Sequence, residues 1–160
     1  MITPKEKELV AVGISVAAGC KPCTNYHVKA ARENGASDEE IKQVVATALS
    51  VRTSATQVMT DHALARVGGK VQEDKPHGAI AGARIKELVS VGAAFAANCV
   101  TGLKQHLAAA QNAGISQEEI DQVVKLAVVI KDRAASHVER LAGMREEGVD
   151  AKAAASYEEI

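Results

Sequence analysis

Hydrophobic residues recur every three to four positions along most of the chain, which is typical of amphipathic helices. The run that contains Val44, Val45, Ala48 and Leu49 shows this spacing clearly. Good helix formers dominate, and glycine or proline falls mainly where a helix should start or stop. No β-hairpin signal is present. The pattern predicts an all-α helical bundle.

Polar boundary signals divide the first half of the chain into four predicted helices. Residues 3–6 and 37–40 have the sequence of capping boxes, with Pro4 at a first helical position. The Asn34-Gly35 pair offers a glycine that can end a helix in the left-handed conformation. The predicted helices are Pro4 to about Ala18, Pro22 to Asn34, a helix that begins after Ser37, and Thr56 to Val67.

The chain contains an internal duplication. Sliding the sequence by 79 residues lays residues 7–52 over 86–131, and 21 of those 46 positions are identical. This degree of identity indicates a tandem repeat, with a glycine- and charge-rich stretch between the copies. The predicted organisation is a first repeat at 1–67, a linker at 68–78, a second repeat at 79–147 and a tail at 148–160.

Composition and charge exclude several classes of function. The chain has 160 residues, of which 47% are hydrophobic, so it can bury a real core. The net charge is −1 and only 2% of the residues are aromatic, which argues against nucleic-acid and anionic membrane partners and against base- or sugar-stacking sites. No apolar run has the length of a membrane span, and no signal peptide is recognisable, so we expect a cytoplasmic protein.

The candidate chemistry lies in one cluster near residue 20. Cys20 and Cys23 form a CxxC at a predicted helix start, a spacing that allows a disulfide across one turn. His27, four residues after Cys23, lies on the same helix face and can accept the thiol proton. The helix N-terminus should also favour the Cys23 thiolate and lower its pKa. Glu8 on the preceding helix could orient the histidine ring.

Two other interpretations of the cysteines remain open at this stage. A zinc site would need about four ligands, and Cys20, Cys23 and His27 supply three, with Cys99 as a conceivable fourth. The cysteines could also be inert small hydrophobic residues, which is the common fate of buried cysteine. The equivalent of Glu8 is retained as Glu87 in the second copy, so that carboxylate could equally serve helix packing.

Together these residues resemble a known family signature. Glu8, twelve residues before Cys20, and then Cys23 and His27 match the Glu…Cys-x-x-Cys-x-x-x-His pattern of the AhpD-like alkylhydroperoxidase group within the carboxymuconolactone decarboxylase superfamily. The similarity covers the first repeat and, in degenerate form, the second. It implies a helical bundle of two tandem AhpD-like repeats that assembles as a homo-oligomer, a dimer or trimer.

The resemblance also implies roles for the residues. Cys23 attacks a small hydroperoxide, Cys20 resolves the product to a disulfide, and His27 with Glu8 relays protons. The expected activity is that of a thiol-dependent peroxidase or disulfide reductase without metal or organic cofactor. An external dithiol on a thioredoxin-like or lipoyl-bearing protein would restore the pair. The alternatives are a decarboxylase-type enzyme, against which the intact CxxC argues, and a non-catalytic helical oligomer that senses redox state.

The sequence departs from the signature in two places. Some peroxidase members carry a further histidine just before the second cysteine, where this chain has Pro22. In the second copy Gly102 replaces the second cysteine, so that copy cannot run a dithiol cycle and is expected to be structural. Cys99 and His106 are interpreted as core residues there. His62 and His137, on the predicted fourth helices, are interpreted as surface or packing residues.

Overall fold

The computed structural model describes residues 1–69 and 84–144, and these residues form six α-helices. The helices are α1 (Pro4–Ala18), α2 (Lys21–Glu33), α3 (Asp38–Arg66), α4 (Arg84–Ala96), α5 (Val100–Asn112) and α6 (Gln117–Leu141). The prediction of an all-α bundle is confirmed. Of the predicted linker only Gly68 and Gly69 belong to the described residues, and the predicted tail lies outside them.

The first copy contains three helices, so the prediction of a separate fourth helix was wrong. The predicted third helix and the Thr56–Val67 segment form one continuous helix, α3. Within it the Thr56 and Thr60 hydroxyls donate to the carbonyls of Arg52 and Thr56, one turn earlier. Such back-bonding lets a threonine stay inside a helix. In the second copy α6 is likewise unbroken.

Helices α1 and α4 are equivalent in the two copies and form the centre of the bundle. Most of their side chains are buried, and they cross where two equivalent glycines bring the backbones close together. A Cβ atom at Gly13 would lie 2.6 Å from Cγ1 of Val89, and one at Gly92 would lie 2.7 Å from Cγ1 of Ile14. Only glycine fits so close an approach.

The other four helices cover this central pair and link the two copies. Helices α3 and α6 each pack on both α1 and α4, whereas α2 packs on α1 and α5 on α4. Because α3 and α6 are long, they also reach across the duplication: α6 contacts α2, and α3 contacts α5. A residue of the second copy can therefore reach the N-terminus of α2. Within the described ranges no helix has both the length and the apolarity needed to span a bilayer.

An ion cluster ties three helices together at one end of the bundle. Arg84 on α4 contacts Glu6 on α1 at 2.8 Å and Glu119 on α6 at 2.7 Å. Hydrogen bonds from the Arg84 guanidinium, and from the backbone N–H of Ser116, hold the pKa of the Glu119 carboxyl well below its usual range. Glu119 also closes the capping box of α6, so the cluster fixes the start of that helix.

Candidate active site

The turn between α1 and α2 places Cys20. Gly19 ends α1 in the left-handed conformation, with φ of 72°. Arg52 of α3 donates hydrogen bonds of 3.1 Å to the carbonyl oxygens of Val16 and Ala17 and so caps the end of α1. Cys20 follows as the N-cap of α2. This tight connection fixes the cysteine at a point where one helix ends and the next begins.

Cys20 and Cys23 are joined by a disulfide. Their Cα atoms are 5.3 Å apart, and both side chains are buried. The Cys20 sulfur accepts a hydrogen bond of 3.2 Å from the backbone N–H of Cys23. In the oxidised pair this N–H group of the helix start is thus directed at Cys20, whereas the sequence predicts that the helix N-terminus favours the Cys23 thiolate. After reduction, the start of α2 would favour a thiolate on Cys20, and activation of Cys23 would depend on side chains.

His27 and Glu8 form the contact that the sequence could only suggest. The Nδ1 atom of His27 lies 2.8 Å from a carboxylate oxygen of Glu8, which reaches it from α1. The histidine side chain is 2% exposed and the glutamate side chain 14%. Because a carboxylate only accepts hydrogen bonds, Nδ1 carries the proton. In the neutral ring Nε2 is then the nitrogen that can take up another proton.

Helix α2 has one buried face, which carries two of the candidate site residues. Its buried residues are Cys23, His27 and Ala31, which are four positions apart. The side chains at i and i+4 of a helix are neighbours, so the ring stands one turn beyond the Cys23 thiol. The polar remainder of α2 faces outward. This arrangement can pass a proton from Cys23 to His27, with Glu8 balancing the charge.

His137 is the functional candidate that the sequence analysis missed. It was interpreted as a surface or packing residue together with His62, and His62 is indeed exposed. The half-buried His137, however, has a ring nitrogen within 4.8 Å of both sulfur atoms of the Cys20–Cys23 pair. A signal was present in the sequence: the position 79 residues earlier is Val58, so this histidine is not part of the repeated pattern.

The zinc site considered from the sequence is not assembled. That site would combine the cysteine pair with His27 and Cys99, and among the described residues the ligand atoms of these four side chains do not come together as a group. Within the described residues, the group with metal-ligand spacing is instead Cys20, Cys23 and His137. Its two sulfurs are bonded to each other, which leaves no thiolate to act as a ligand.

The second copy retains the scaffold of this site with looser contacts. Cys99 is the N-cap of α5, and its sulfur accepts a hydrogen bond of 3.3 Å from the N–H of Gly102. Nδ1 of His106 lies 3.6 Å from Glu87, beyond hydrogen-bond distance. Cys99 is a buried free cysteine. Without a second thiol this copy cannot form the equivalent disulfide.

Comparison with known proteins relates both copies to one family. Residues 1–67 and 76–143 match the family model described as the carboxymuconolactone decarboxylase family. Over 61 residues the chain is 34% identical to "Uncharacterized protein 4 in cox locus" of Paracoccus denitrificans, an alignment that covers 38% of this chain and 55% of that protein. The chain therefore spans about half the length of this curated relative. No solved structure matches the chain.

Proposed function

The chain belongs to the carboxymuconolactone decarboxylase family, and from that premise we propose that it is a thiol-dependent peroxidase and disulfide reductase. The observation that carries the proposal is the Cys20–Cys23 disulfide on the same helix as a buried histidine held by a carboxylate. A cysteine-independent decarboxylase has no need of such a pair. The second copy, which lacks one cysteine, serves as structural support.

The first half-reaction oxidises the dithiol. His27 takes the proton of Cys23 at Nε2, and the thiolate attacks one oxygen of the hydroperoxide. The S–O bond forms as the O–O bond breaks, and the departing alkoxide leaves as alcohol with the proton from His27. Cys20 then attacks the sulfenic acid on Cys23, and water leaves with the Cys20 proton. The products are one alcohol, one water and the disulfide.

The second half-reaction restores the dithiol. A dithiol on a thioredoxin-like or lipoyl-bearing protein attacks the disulfide and leaves as a disulfide itself. We place this cycle in the cytoplasm, where such donors keep protein thiols reduced. Because both cysteines are buried, only a donor that presents its thiol on a small or extended group can reach them.

A homo-oligomer is part of the proposal. Large apolar side chains remain exposed on the two long helices of the described region, and a further copy of the chain could cover them. Four of them are Leu49, Met59, Val138 and Leu141.

The test is a steady-state assay of hydroperoxide consumption with candidate dithiol donors. We expect Cys23→Ser to abolish turnover, because a serine hydroxyl cannot supply the nucleophile. Cys99→Ser, the matched control in the second copy, should leave turnover nearly unchanged. In Cys20→Ser a single turnover should survive, and mass spectrometry should find added oxygen at Cys23.

Three results would contradict the proposal or part of it. Equal losses of peroxide turnover in Cys23→Ser and Cys99→Ser would show that the reaction does not depend specifically on the Cys20–Cys23 pair. Oxygen added to Cys20 of the Cys23→Ser protein, at a rate like that of Cys23, would reverse the roles of the two cysteines. Disulfide formation without sustained peroxide consumption, with every donor tried, would instead identify a redox-sensing protein.

A further inference from the structure

The cysteine pair has a neighbour that comes from the other copy of the repeat. Helix α6 packs on both central helices and also touches α2, and this path brings His137 to the start of α2. One of its ring nitrogens lies within 4.8 Å of the sulfurs of both Cys20 and Cys23. At that distance the ring and a sulfur atom can interact electrostatically. A small side-chain movement would bring the nitrogen within hydrogen-bond distance of the sulfur. The pair therefore has neighbouring histidines on two different helices: His27 on α2 and His137 on α6.

The Arg140 guanidinium determines which ring nitrogen of His137 carries the proton. Nη2 of Arg140 lies 2.6 Å from Nδ1 of the ring, one turn along α6. Because a guanidinium only donates hydrogen bonds, Nδ1 must accept. The proton of the neutral ring is then on Nε2, where it makes an N–H donor. A metal bound through Nε2 would require the proton to be on Nδ1. Two N–H groups, that of Nδ1 and that of Arg140, would then face each other with no acceptor between them. The arrangement therefore suits a thiolate better than a metal ion.

The duplication supplies an internal comparison. Helix α3 contacts α5, and α6 contacts α2. The position on α3 equivalent to His137 is Val58, which is half-buried as well. The histidine is thus found on the helix that crosses to the complete cysteine pair, and an apolar residue is found on the helix that crosses to the incomplete one. A role in packing alone would not distinguish the two crossings.

We propose that His137, held by Arg140, stabilises the thiolate that is released when the Cys20–Cys23 disulfide is reduced. In that step a donor thiolate attacks one sulfur, the S–S bond breaks, and its electron pair goes to the departing sulfur. The N–H of His137 and the charge of Arg140 stabilise the negative charge on that sulfur. A second donor thiolate then attacks the mixed disulfide, releases the other cysteine and leaves as a disulfide. Two electrons have passed to the pair. Of the two protons that the donor thiols gave up, one returns to the other cysteine and one goes to the solvent, while the stabilised sulfur remains a thiolate.

This inference rests on the proposed function only in that the pair cycles between dithiol and disulfide. It concerns reduction, and it does not require the oxidant to be a peroxide. Stabilising the reduced form makes a disulfide easier to reduce, so the inference predicts a change in the equilibrium constant with an external thiol couple.

The experiment is a redox titration of the full chain in glutathione buffers, with alkylation and mass spectrometry to count free thiols. We expect His137→Ala to shift the equilibrium toward the disulfide about tenfold, equivalent to about 30 mV for two electrons. His137→Gln keeps an N–H donor and should lie between the wild type and His137→Ala. Arg140→Gln should shift the equilibrium in the same direction. The matched control His62→Ala, an exposed histidine on α3, should titrate like the wild type.

Titration curves of His137→Ala and Arg140→Gln that superimpose on that of the wild type would overturn the inference. Circular dichroism melting of each variant shows whether it is folded, and His137→Gln provides the decision if His137→Ala does not fold. The two proposals fail separately. Loss of the peroxide activity in every assay would leave the shifted equilibrium intact, whereas an unshifted equilibrium with normal peroxide turnover would refute only the role of His137.

Discussion

Replacing Glu8 by glutamine should slow peroxide attack by the reduced protein about tenfold. The side-chain amide is nearly the same size as the carboxylate and keeps an oxygen that can accept from Nδ1 of His27. The substitution therefore preserves the position of the ring, which is 2.8 Å from the carboxylate, and removes only the negative charge. That charge matters when the ring takes up the proton of Cys23 and becomes positive.

The size of the effect follows from the burial of the pair. His27 is almost wholly buried, so water contributes little to the stability of its charged form, and Glu8 is only slightly exposed. A hydrogen bond to a charged group contributes about 1.5–3 kcal/mol and a neutral one about 0.5–1.5 kcal/mol, so removing the charge while keeping the bond should cost about 1–1.5 kcal/mol. About 1.4 kcal/mol corresponds to a factor of ten in rate, so we expect a loss of about tenfold.

The assay is single-turnover oxidation of the prereduced protein, which needs no external dithiol. Reduced wild type and variant are mixed with one equivalent of hydroperoxide, and disulfide formation is followed by quenching and mass spectrometry. Glu87→Gln is the matched control, because Glu87 is the equivalent residue of the second copy and lies 3.6 Å from its histidine. We expect the control to react at nearly the wild-type rate.

The reasoning fails if Glu8→Gln reacts as fast as the wild type, since the carboxylate would then serve only to pack α1 against α2. It also fails if both variants are slowed equally, because the effect would then come from a general change in the bundle. Thermal melts of both variants separate that second case from a local one.

Two further predictions concern the stability of the bundle. Gly13→Ala should destabilise the fold by about 1–3 kcal/mol, because the added methyl group would lie 2.6 Å from buried Val89; an unchanged midpoint of urea unfolding would show that α1 and α4 can separate at no cost. Arg84→Gln should lower the free energy of unfolding at neutral pH, because Arg84 helps to hold the pKa of the Glu119 carboxyl below its value in the unfolded chain. A carboxyl with a lowered pKa stabilises the fold at pH values above its unfolded pKa, and this stability is lost as the carboxyl is protonated. The difference between variant and wild type should therefore narrow as the pH falls from about 5 to about 2. Urea unfolding at several pH values checks the second prediction, and a difference that stays constant with pH would contradict it.

Much of the fold could be predicted from local signals. Capping boxes, proline at a first helical position and glycine turns act within a few residues, so the bounds of α1 and the starts of α3 and α6 agree with the sequence. The division of α3 was wrong, since the helix continues through threonines whose hydroxyls bond within it. Propensity alone cannot show that a long helix such as α3 packs along both α1 and α4.

The site was predictable only where its residues are close in sequence. Cys20, Cys23 and His27 share one helix start, so their spacing determines which face they occupy. The distance between Glu8 and His27 depends on how α1 packs on α2, and the sequence offered only the suggestion that they meet. His137 depends on the path of α6 across the whole bundle, which no local pattern encodes.

Comparison of the two copies distinguishes the backbone geometry that both share from the side chains that are found only around the first cysteine pair. A Cβ atom at Gly102 would lie 3.7 Å from the Cβ of Cys99, within the range of about 3.5–4.5 Å that disulfides span. The backbone of the second copy therefore has the geometry for a cysteine pair, even though it carries one cysteine. In the second copy Glu87 and His106 are too far apart for a hydrogen bond, and the sequence equivalent of His137 is Val58. A turn that can close a disulfide therefore comes with the repeat, whereas the carboxylate-bound histidine and the histidine from the other copy are found only at the first pair among the described residues, and we propose that these side chains make that pair reactive.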